Sequence, residues 1–396
     1  MNDEPAARDG AASEEAAPAL SSEVLTGAGA YAALRSDWLL VKALQPSASV
    51  FQAPDFLSLW AEHFAKGPLD RTLKTIVVRQ AGRPVLIWPL QVSRGRLAKV
   101  AVAAGRPFSQ YDEFILDPRC SQGEATRAAY DRLMADVRPD ILQFAQVRKD
   151  GALFRTLLAD KQPISAEGAP YAEIGSDGFA GFMSRIKQKV GREQRRRLRL
   201  LGEQGEVRFE ISGDSGTAAD WLAMAIDMKR QWLTDTGKVS TTYMDERTNE
   251  LFPALARSLG EATSPVRLAV ARLTVSGEPA AYEVGLIDAG RYFLYLGTYS
   301  QRYAKFSTGN LLAQQAIEWC AENGIGVYDM MAPRSQHKSD WSTGEVEVFD
   351  YAIPTSRRGE LYLDLVVRRL RPGMKRVFYS LPAPIRSAIA GRALRI

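Results

Sequence analysis

The stretch YLGTYSQRYAKFSTGNLLAQQAIEWCAENGIGVYDMMAP, residues 295–333, combines an aromatic strand, a polar turn, an apolar helix and a second short strand. The turn ends in Ser307-Thr308-Gly309-Asn310, and Asn323-Gly324 forms a C-cap at the far end of the helix. A helix that begins on small polar residues presents unpaired backbone N–H groups and the positive end of its dipole. The pattern therefore predicts either an ordinary helix cap or a site that binds a phosphate.

Outward from this stretch, the apolar periodicity of residues 206–353 predicts the order β-α-α-β-β-β-α-β-β. The three central strands, at 266–275, 279–288 and 291–299, are separated by hairpin-type turns. Strands alternating with helices in this way predict an α/β (α+β) fold with a mixed central sheet flanked by helices.

The first half repeats this order more faintly, beginning with a predicted strand at 38–44. We therefore predict tandem units of similar architecture that join near the Gly- and Ser-rich stretch 165–178, and one large α/β domain is the alternative. The acidic N-terminus lacks the basic start and apolar core of a secretory signal and predicts a disordered leader. The predicted segments are a disordered acidic leader (1–28), a degenerate N-terminal unit (29–178), a C-terminal unit (179–355) and a basic amphipathic tail (356–396).

The composition is that of a globular chain, with 46% hydrophobic and 24% charged residues in 396. The sequence contains no run of about 18 apolar residues, so it predicts no transmembrane helix. Two distant cysteines and two histidines argue against a disulfide framework and a histidine-built metal site, and they favour a cytoplasmic location. The chain has no GxGxxG or P-loop pattern, so the sequence does not support a nucleotide kinase or dinucleotide enzyme.

Positive charge is concentrated in two segments. After Thr355 the tail holds ten arginines and lysines against only Glu360 and Asp364. Because the excess is local, we expect no specific nucleic acid as a partner. The tail predicts peripheral contact with an anionic membrane or a membrane-bound synthase, or simple packing on the body. The basic run at 185–201 predicts a helix packed at the domain junction, or a site for a polyanionic acceptor or membrane surface.

The predicted order of elements in 206–353 resembles the GNAT acetyltransferase fold. Three motifs resemble one branch of it, the BioF2-like or CelD/BcsL-type acetyltransferases of bacterial polysaccharide gene clusters. These motifs are MKRQW (228–232), YLGTYSQRYAKFSTGNLL (295–312) and GIGVYDMMAPRSQHKSDW (324–341). Thr308 stands where that branch usually has proline, and Ala332-Pro333 stand where it usually has glycine.

The resemblance implies an acyltransferase that moves an acyl group directly from acetyl-CoA, or another acyl-CoA, to an amine or hydroxyl. The implied acceptor is a sugar, an exopolysaccharide or another envelope precursor, and no metal is expected. Coenzyme A would place its pyrophosphate on the turn 307–310 and its pantetheine arm along the strand 291–299, where Gly297 predicts a bulge. The expected cofactor-binding residues are Leu296, Gly297, Arg302, Lys305, Ser307, Thr308, Gly309 and Asn310.

Four residues are candidates for catalysis. Glu283 lies in the apolar strand AAYEVGL, where a carboxylate is costly unless it faces solvent or a cleft. Asp329 follows a strand at the edge where α/β sheets place ligands, and His337 has the pKa range of a base. We expect Lys338 to bind an anionic or carbonyl group. For each of these four residues, a purely structural role is the alternative. The expected substrate-binding residues are Trp232, Tyr299 and Trp341.

Two other functions stay open at this point. A Fem-type aminoacyl transferase also pairs two GNAT-like units but takes its acyl group from aminoacyl-tRNA. A catalytically silent scaffold of a polysaccharide-synthesis complex would carry the same fold without the chemistry.

Overall fold

The computed structural model describes residues 19–260, 265–382 and 385–386. Its strands are β1 (Leu20–Thr26), β2 (Leu73–Gln80), β3 (Arg83–Arg94), β4 (Lys99–Ala103), β5 (Ile115–Leu116), β6 (Ile141–Arg148), β7 (Ser165–Glu173), β8 (Val207–Ile211), β9 (Val266–Val275), β10 (Glu278–Asp288), β11 (Arg291–Tyr299), β12 (Val327–Asp329) and β13 (Gly344–Pro354). Its helices are α1 (Gly29–Leu44), α2 (Pro54–Phe64), α3 (Gln122–Arg132), α4 (Gly178–Arg185), α5 (Gln188–Gly202), α6 (Ser215–Asp235), α7 (Thr241–Met244), α8 (Thr248–Leu259), α9 (Thr308–Glu322), α10 (Gln336–Trp341), α11 (Arg357–Tyr362) and α12 (Arg371–Ser380).

The strands form one mixed sheet in the order β1-β2-β3-β4-β6-β13-β7-β12-β11-β10-β9-β8, and β5 pairs with β3. Strands β1 to β6 make up one half of this sheet, and β8 to β12 lie in the other. The late strand β13 pairs with β6 on one side and with β7 on the other, so it joins the two halves. The predicted fold class, tandem mixed sheets flanked by helices, is confirmed, and the two sheets are continuous.

The largest apolar core lies on one face of the sheet and draws side chains from both halves. Trp38 and Trp60, on α1 and α2, belong to the same buried cluster as Leu222 and Phe252, on α6 and α8. A buried ion pair between Lys42 of α1 and Asp288 of β10 also connects the halves. This shared core fixes the position of the first half relative to the strands that carry the candidate site.

The basic run 185–201 is helical except at Ile186 and Lys187, which separate α4 from α5. The four apolar residues predicted to pack, Phe182, Ile186, Val190 and Leu201, are buried. Most of the arginines are exposed, and the place of the run at a domain junction stays a prediction.

Three expectations for the first half are wrong. The predicted leader 1–28 includes β1, which pairs with β2 along its whole length, while residues 1–18 lie outside the described part. The predicted strand 38–44 is the end of α1, because Trp38 and Val41 recur at helical spacing and both are buried. The predicted join 165–178 contains β7, which lies between β12 and β13 in the sheet.

None of the helices in the described ranges combines the length and apolar character that a membrane span requires.

Candidate active site

The strands β11 and β12 separate in the middle of the sheet. They run parallel and pair only from Arg291 to Phe293, after which β11 continues to Tyr299 and β12 ends at Asp329. The register of β11 against β10 also shifts here, because Val284 faces Leu296 but Gly285 faces Leu294. The extra residue is Tyr295, so the bulge lies two positions before the predicted Gly297. Beyond Phe293 the edge of β11 is therefore open.

Side chains from elsewhere bond to this open edge. Gln110 Nε2 donates to the carbonyl oxygen of Tyr295 at 3.4 Å, and Lys229 Nζ donates to that of Gly297 at 3.1 Å. Both carbonyls point away from β10 and toward the gap. A ligand with amide groups can add to such an edge as a further strand does.

Helix α9 begins beside the open edge. Its N-cap Ser307 has φ 53° and ψ 48° and makes no side-chain cap. The N–H groups of Asn310 and Leu311 donate to the Ser307 carbonyl oxygen, whereas those of Thr308 and Gly309 have no hydrogen-bond partner among the described residues. Gly309 lines the cavity described next, and a Cβ added there would have only one neighbour, a Tyr299 ring carbon 4.0 Å away. Free N–H groups at the positive end of a helix provide a site for an anion.

A cavity of about 590 Å³ is bounded by the open edge of β11, the start of α9, one side of α6 and the segment from β12 to α10. It brings together eleven of the residues predicted from sequence. These are Trp232, Glu283, Leu296, Gly297, Tyr299, Ser307, Gly309, Asn310, His337, Lys338 and Trp341.

The cavity wall contains polar atoms without partners. Within the described part of the chain, the indole nitrogens of Trp232 and Trp341 and the hydroxyl of Thr298 are buried and make no hydrogen bond. Buried donors are nearly always satisfied in folded proteins. These three groups are exceptions to that rule.

Glu283 is the buried carboxylate of this cavity. Its Oε1 accepts hydrogen bonds from Tyr328 at 2.7 Å and Tyr292 at 3.0 Å, and no partner of Oε2 is found among the described residues. Burial raises the pKa of Glu283 to about 7, against the opposing effect of the two tyrosine hydroxyls. A carboxylate with such a pKa can accept a proton near neutral pH.

Cations line the opposite wall. Burial and the neighbouring Lys238 lower the pKa of Lys229 to about 8. Burial also lowers the pKa of Lys338 to about 8, and its Nζ donates to the carbonyl oxygens of Met331 and Pro333 at 2.9 and 3.1 Å. The pKa of His337 is lowered by partial burial and by Lys338. The wall is positively charged at neutral pH and suits an anionic ligand.

Aromatic rings complete the cavity. The Trp232 ring lies 4.4 Å from Lys229 Nζ and 4.6 Å from Lys238 Nζ, and it packs edge-on against Tyr299. Trp341 is buried and stacks on Phe182.

Asp329 is placed differently from the prediction. It is completely buried outside the cavity lining and accepts hydrogen bonds from Tyr111 at 2.9 Å, Arg148 at 2.9 Å, Arg291 at 3.2 Å and the Met331 N–H at 2.9 Å. With four donors, its oxygens are already occupied. Asp329 is thus a structural counter-ion that fixes the end of β12, and this geometry gives no support to a catalytic base here.

Three predicted cofactor-binding side chains also point elsewhere. Arg302 forms an ion pair with Glu278 at 2.5 Å, and Lys305 lies over the Phe306 ring on the exposed surface. The Thr308 hydroxyl is buried and donates to the Ala280 carbonyl oxygen at 3.3 Å. Only the backbone N–H of Thr308 is available to a ligand.

Sequence reasoning missed part of the lining, including Lys229, Lys238 and Tyr243. Lys229 lies three residues before Trp232, and this helical spacing was a signal for it. Gln110 belongs to the stretch 105–114 of the first half, whose sequence predicts either a wall of the acceptor cleft or an ordinary turn. Among the described residues, no group of three or more His, Cys, Asp and Glu side chains could hold a metal ion.

Residues 188–339 match a family model described as acetyltransferase (GNAT) domain. This segment is therefore similar to a GNAT domain. It begins with α5, ends within α10 and contains β11, α9 and most of the cavity wall. The chain matches none of the curated proteins with which it was compared.

Two solved structures with TM-scores above 0.5 share the fold over most of the chain. FemX is 11% identical, with a TM-score of 0.57 over 87% of this chain and 99% of that one. A conserved protein of unknown function from Bacteroides thetaiotaomicron is 10% identical, with a TM-score of 0.51 over 81% and 97% of the two chains. A tandem GNAT protein from the clavulanic acid pathway is 13% identical, with a TM-score of 0.48 over 85% and 99%.

Proposed function

We propose that this protein is an acyltransferase that uses acetyl-CoA or another acyl-CoA and transfers the acyl group to an amine or hydroxyl. One observation carries the proposal: the open edge of β11 and the unpartnered N–H groups at the start of α9 face a single cavity. A thioester nucleotide has the matching groups, a diphosphate for the helix terminus and amides for the strand edge.

The binding residues follow from this geometry. The N–H groups of Thr308 and Gly309 would hold the diphosphate, and the backbone from Tyr295 to Gly297 would bond to the pantetheine amides. Lys229, whose Nζ donates to the Gly297 carbonyl oxygen at this edge, and Lys238 would supply positive charge. Arg302 and Lys305 have no part in this arrangement, because their side chains contact Glu278 and Phe306.

Glu283 is the group best placed to accept the proton of the acceptor. The acceptor nitrogen or oxygen forms a bond to the thioester carbonyl carbon, the carbon–sulfur bond breaks, and the acceptor's proton goes to the carboxylate. A lysine ammonium with a pKa of about 8 can stabilise the leaving thiolate, and Lys229 and Lys338 both have this property.

A sugar, exopolysaccharide or envelope precursor is our proposed acceptor. This part of the proposal depends on the resemblance of the three sequence motifs to the BioF2-like and CelD/BcsL-type branch, and on no residue of the cavity alone. The positive wall suits an acceptor or donor that carries phosphate or carboxylate groups.

A charge substitution at the start of α9 tests the binding site. Gly309→Asp places a carboxylate at the second residue of α9, where it should stabilise the helix but repel a diphosphate. Gly123→Asp is the matched control, because Gly123 is the second residue of α3, has open space around it and lies outside the cavity. We expect Gly309→Asp to weaken binding of coenzyme A at least about 30-fold in calorimetry, with no loss of melting temperature.

The control variant should bind coenzyme A as the native protein does. Thermal shift with acetyl-CoA, free coenzyme A and aminoacyl-tRNA then separates the candidate functions. Stabilisation by aminoacyl-tRNA alone would favour the Fem-type activity. No stabilisation by any of the three ligands would contradict the acyltransferase proposal and favour a silent scaffold.

A further inference from the structure

The C-terminal helical segment, residues 357–380, projects from the body of the protein. It consists of α11, a π-helical stretch at Leu363–Leu370 and α12. Only its first part is anchored, through Leu363 and Val367 packed on Ile141 and Ala352. No residue of α12 whose burial the structure describes is buried, so this helix is held by the segment before it and not by a core of its own.

An apolar stripe runs along one side of this segment. Leu361, Leu365, Leu370, Met374 and Val377 are each between 50% and 65% exposed. Three of the steps between them are three or four residues, the spacing of one helix face. The step from Leu365 to Leu370 is five residues, and it falls in the π-helical stretch, where each turn contains more residues. A contiguous exposed apolar row of this kind marks an interaction surface. We call these five residues the tail stripe.

A basic cleft lies at the base of the same segment. Its volume is about 660 Å³, and Arg94, Arg96, Lys99, Arg138 and Arg358 line it. Burial and the neighbouring Arg94 lower the pKa of Lys99, which reflects the crowding of positive charge.

Two carboxylates also line the cleft, but both are already bonded. Asp140 accepts from the Lys99 N–H at 2.8 Å and from Ser356 at 2.6 Å, and Asp136 pairs with Arg132. Among the described residues, Arg94 and Arg96 have no ion-pair partner. Leu97, between them and Lys99, is 63% exposed. The cleft therefore presents unpaired cations next to an exposed apolar side chain.

We propose that the tail stripe and the basic cleft together form a docking surface for an anionic phospholipid bilayer. The stripe would enter the boundary between headgroups and acyl chains, while the cleft and the exposed Arg369 would bind lipid phosphates. Charge complementarity favours an anionic membrane over a second copy of the chain as the partner of this surface. A second copy of the chain would bring two sets of unpaired arginines together at a symmetric contact, which like-charge repulsion opposes.

Vesicle flotation with the full chain tests this surface. Vesicles of phosphatidylcholine alone are compared with vesicles that contain 30% phosphatidylglycerol, a composition chosen as a moderate anionic surface. We expect the native protein to bind the anionic vesicles at least about tenfold better and to lose this preference at high salt. Equal binding to both vesicle types, or binding to neither, would overturn the proposal.

Surface variants separate the two elements. The triple variant L370S/M374S/V377S should lower binding to anionic vesicles at least about tenfold. The cleft variant R94Q/R96Q should lower it by about 25-fold, since one arginine near an anionic surface contributes about fivefold.

The matched controls change exposed residues of the same kinds elsewhere. L40S/L69S/I164S removes three exposed apolar side chains, and R127Q/R208Q removes two exposed charges. Both should bind as the native protein does, and melting curves should confirm that all variants are folded. If the controls lose as much binding as the tail-stripe and cleft variants, the surface is wrongly assigned. A concentration-dependent dimer in sedimentation that only L370S/M374S/V377S disrupts, without vesicle binding, would also overturn the proposal.

Discussion

Replacing Glu283 by glutamine should remove a pH-dependent loss of stability. Glu283 is 3% exposed, and burial raises the pKa of its carboxyl from 4.5 to about 7. In the unfolded chain the side chain ionises near its ordinary pKa, whereas in the folded protein it stays protonated to higher pH. The contribution of protonated Glu283 to the free energy of unfolding is therefore fully present below pH 4.5 and is lost as the pH rises toward 7. Glutamine has a similar shape and no charge, so this dependence should disappear.

The size of the effect follows from the two pKa values. A difference of about 2.5 pKa units corresponds to about 3 kcal/mol in total. Most of this falls between pH 5 and pH 8, where most proteins can be measured. Glu113 is also buried with a pKa raised to about 7, so the native protein carries two such contributions. The difference between native protein and E283Q isolates one of them.

The measurement is the free energy of unfolding in urea at several pH values, for the native protein and E283Q. We expect the two curves to diverge from pH 5 upward, with E283Q the more stable at pH 8. Tyr328→Phe provides an internal check, because loss of its hydrogen bond should raise the pKa of Glu283 further and extend the divergence to higher pH. Parallel curves for the native protein and E283Q would refute the assignment of Glu283 as a buried group that titrates near neutral pH.

Three further predictions concern charged groups. Asp329→Asn should lower the free energy of unfolding by about 3–5 kcal/mol, because it leaves Arg148 and Arg291 beside an uncharged partner. Asp150→Asn, which removes a half-exposed carboxylate paired with Arg148, should lower it by less than about 1 kcal/mol. Urea denaturation of the two variants distinguishes these results. Binding of coenzyme A should weaken as the pH rises through about 8, where Lys229 and Lys338 lose their charge. K229M should bind about tenfold more weakly in calorimetry and with a smaller pH dependence, because only Lys338 then titrates in this range. Arg302→Gln should leave the affinity for coenzyme A within about twofold of the native value, and a larger loss would contradict the observed pairing with Glu278.

The second half of the fold was predictable because its signals are local. The hairpin turns, the periodic helices and the cap at Asn323-Gly324 each depend on neighbouring residues. The observed order from β8 to β13 agrees with the predicted one except for the short helices α7 and α10. In the site, the polar turn 307–310 begins a helix beside the cavity, and Glu283 of the apolar strand lines that cavity.

The errors arise where distant contacts decide the outcome. Strand β1 has a polar composition and is stabilised by backbone pairing with β2, which no local pattern shows. Asp329 has the sequence position of a catalytic group, but Arg148 and Tyr111 from the first half occupy its oxygens. The arginine and lysine before α9 were predicted from proximity in sequence, whereas the direction of each side chain depends on Glu278 and Phe306.

The place of β13 between β6 and β7 has a consequence for synthesis of the chain. While the nascent polypeptide leaves the ribosome, the facing edges of β6 and β7 stay unpaired until residues 344–354 emerge. Unpaired strand edges invite association with other chains. A chaperone that shields nascent chains should therefore matter most in this interval, and a premature stop before Gly344 should give an insoluble fragment even though most of both halves has been made.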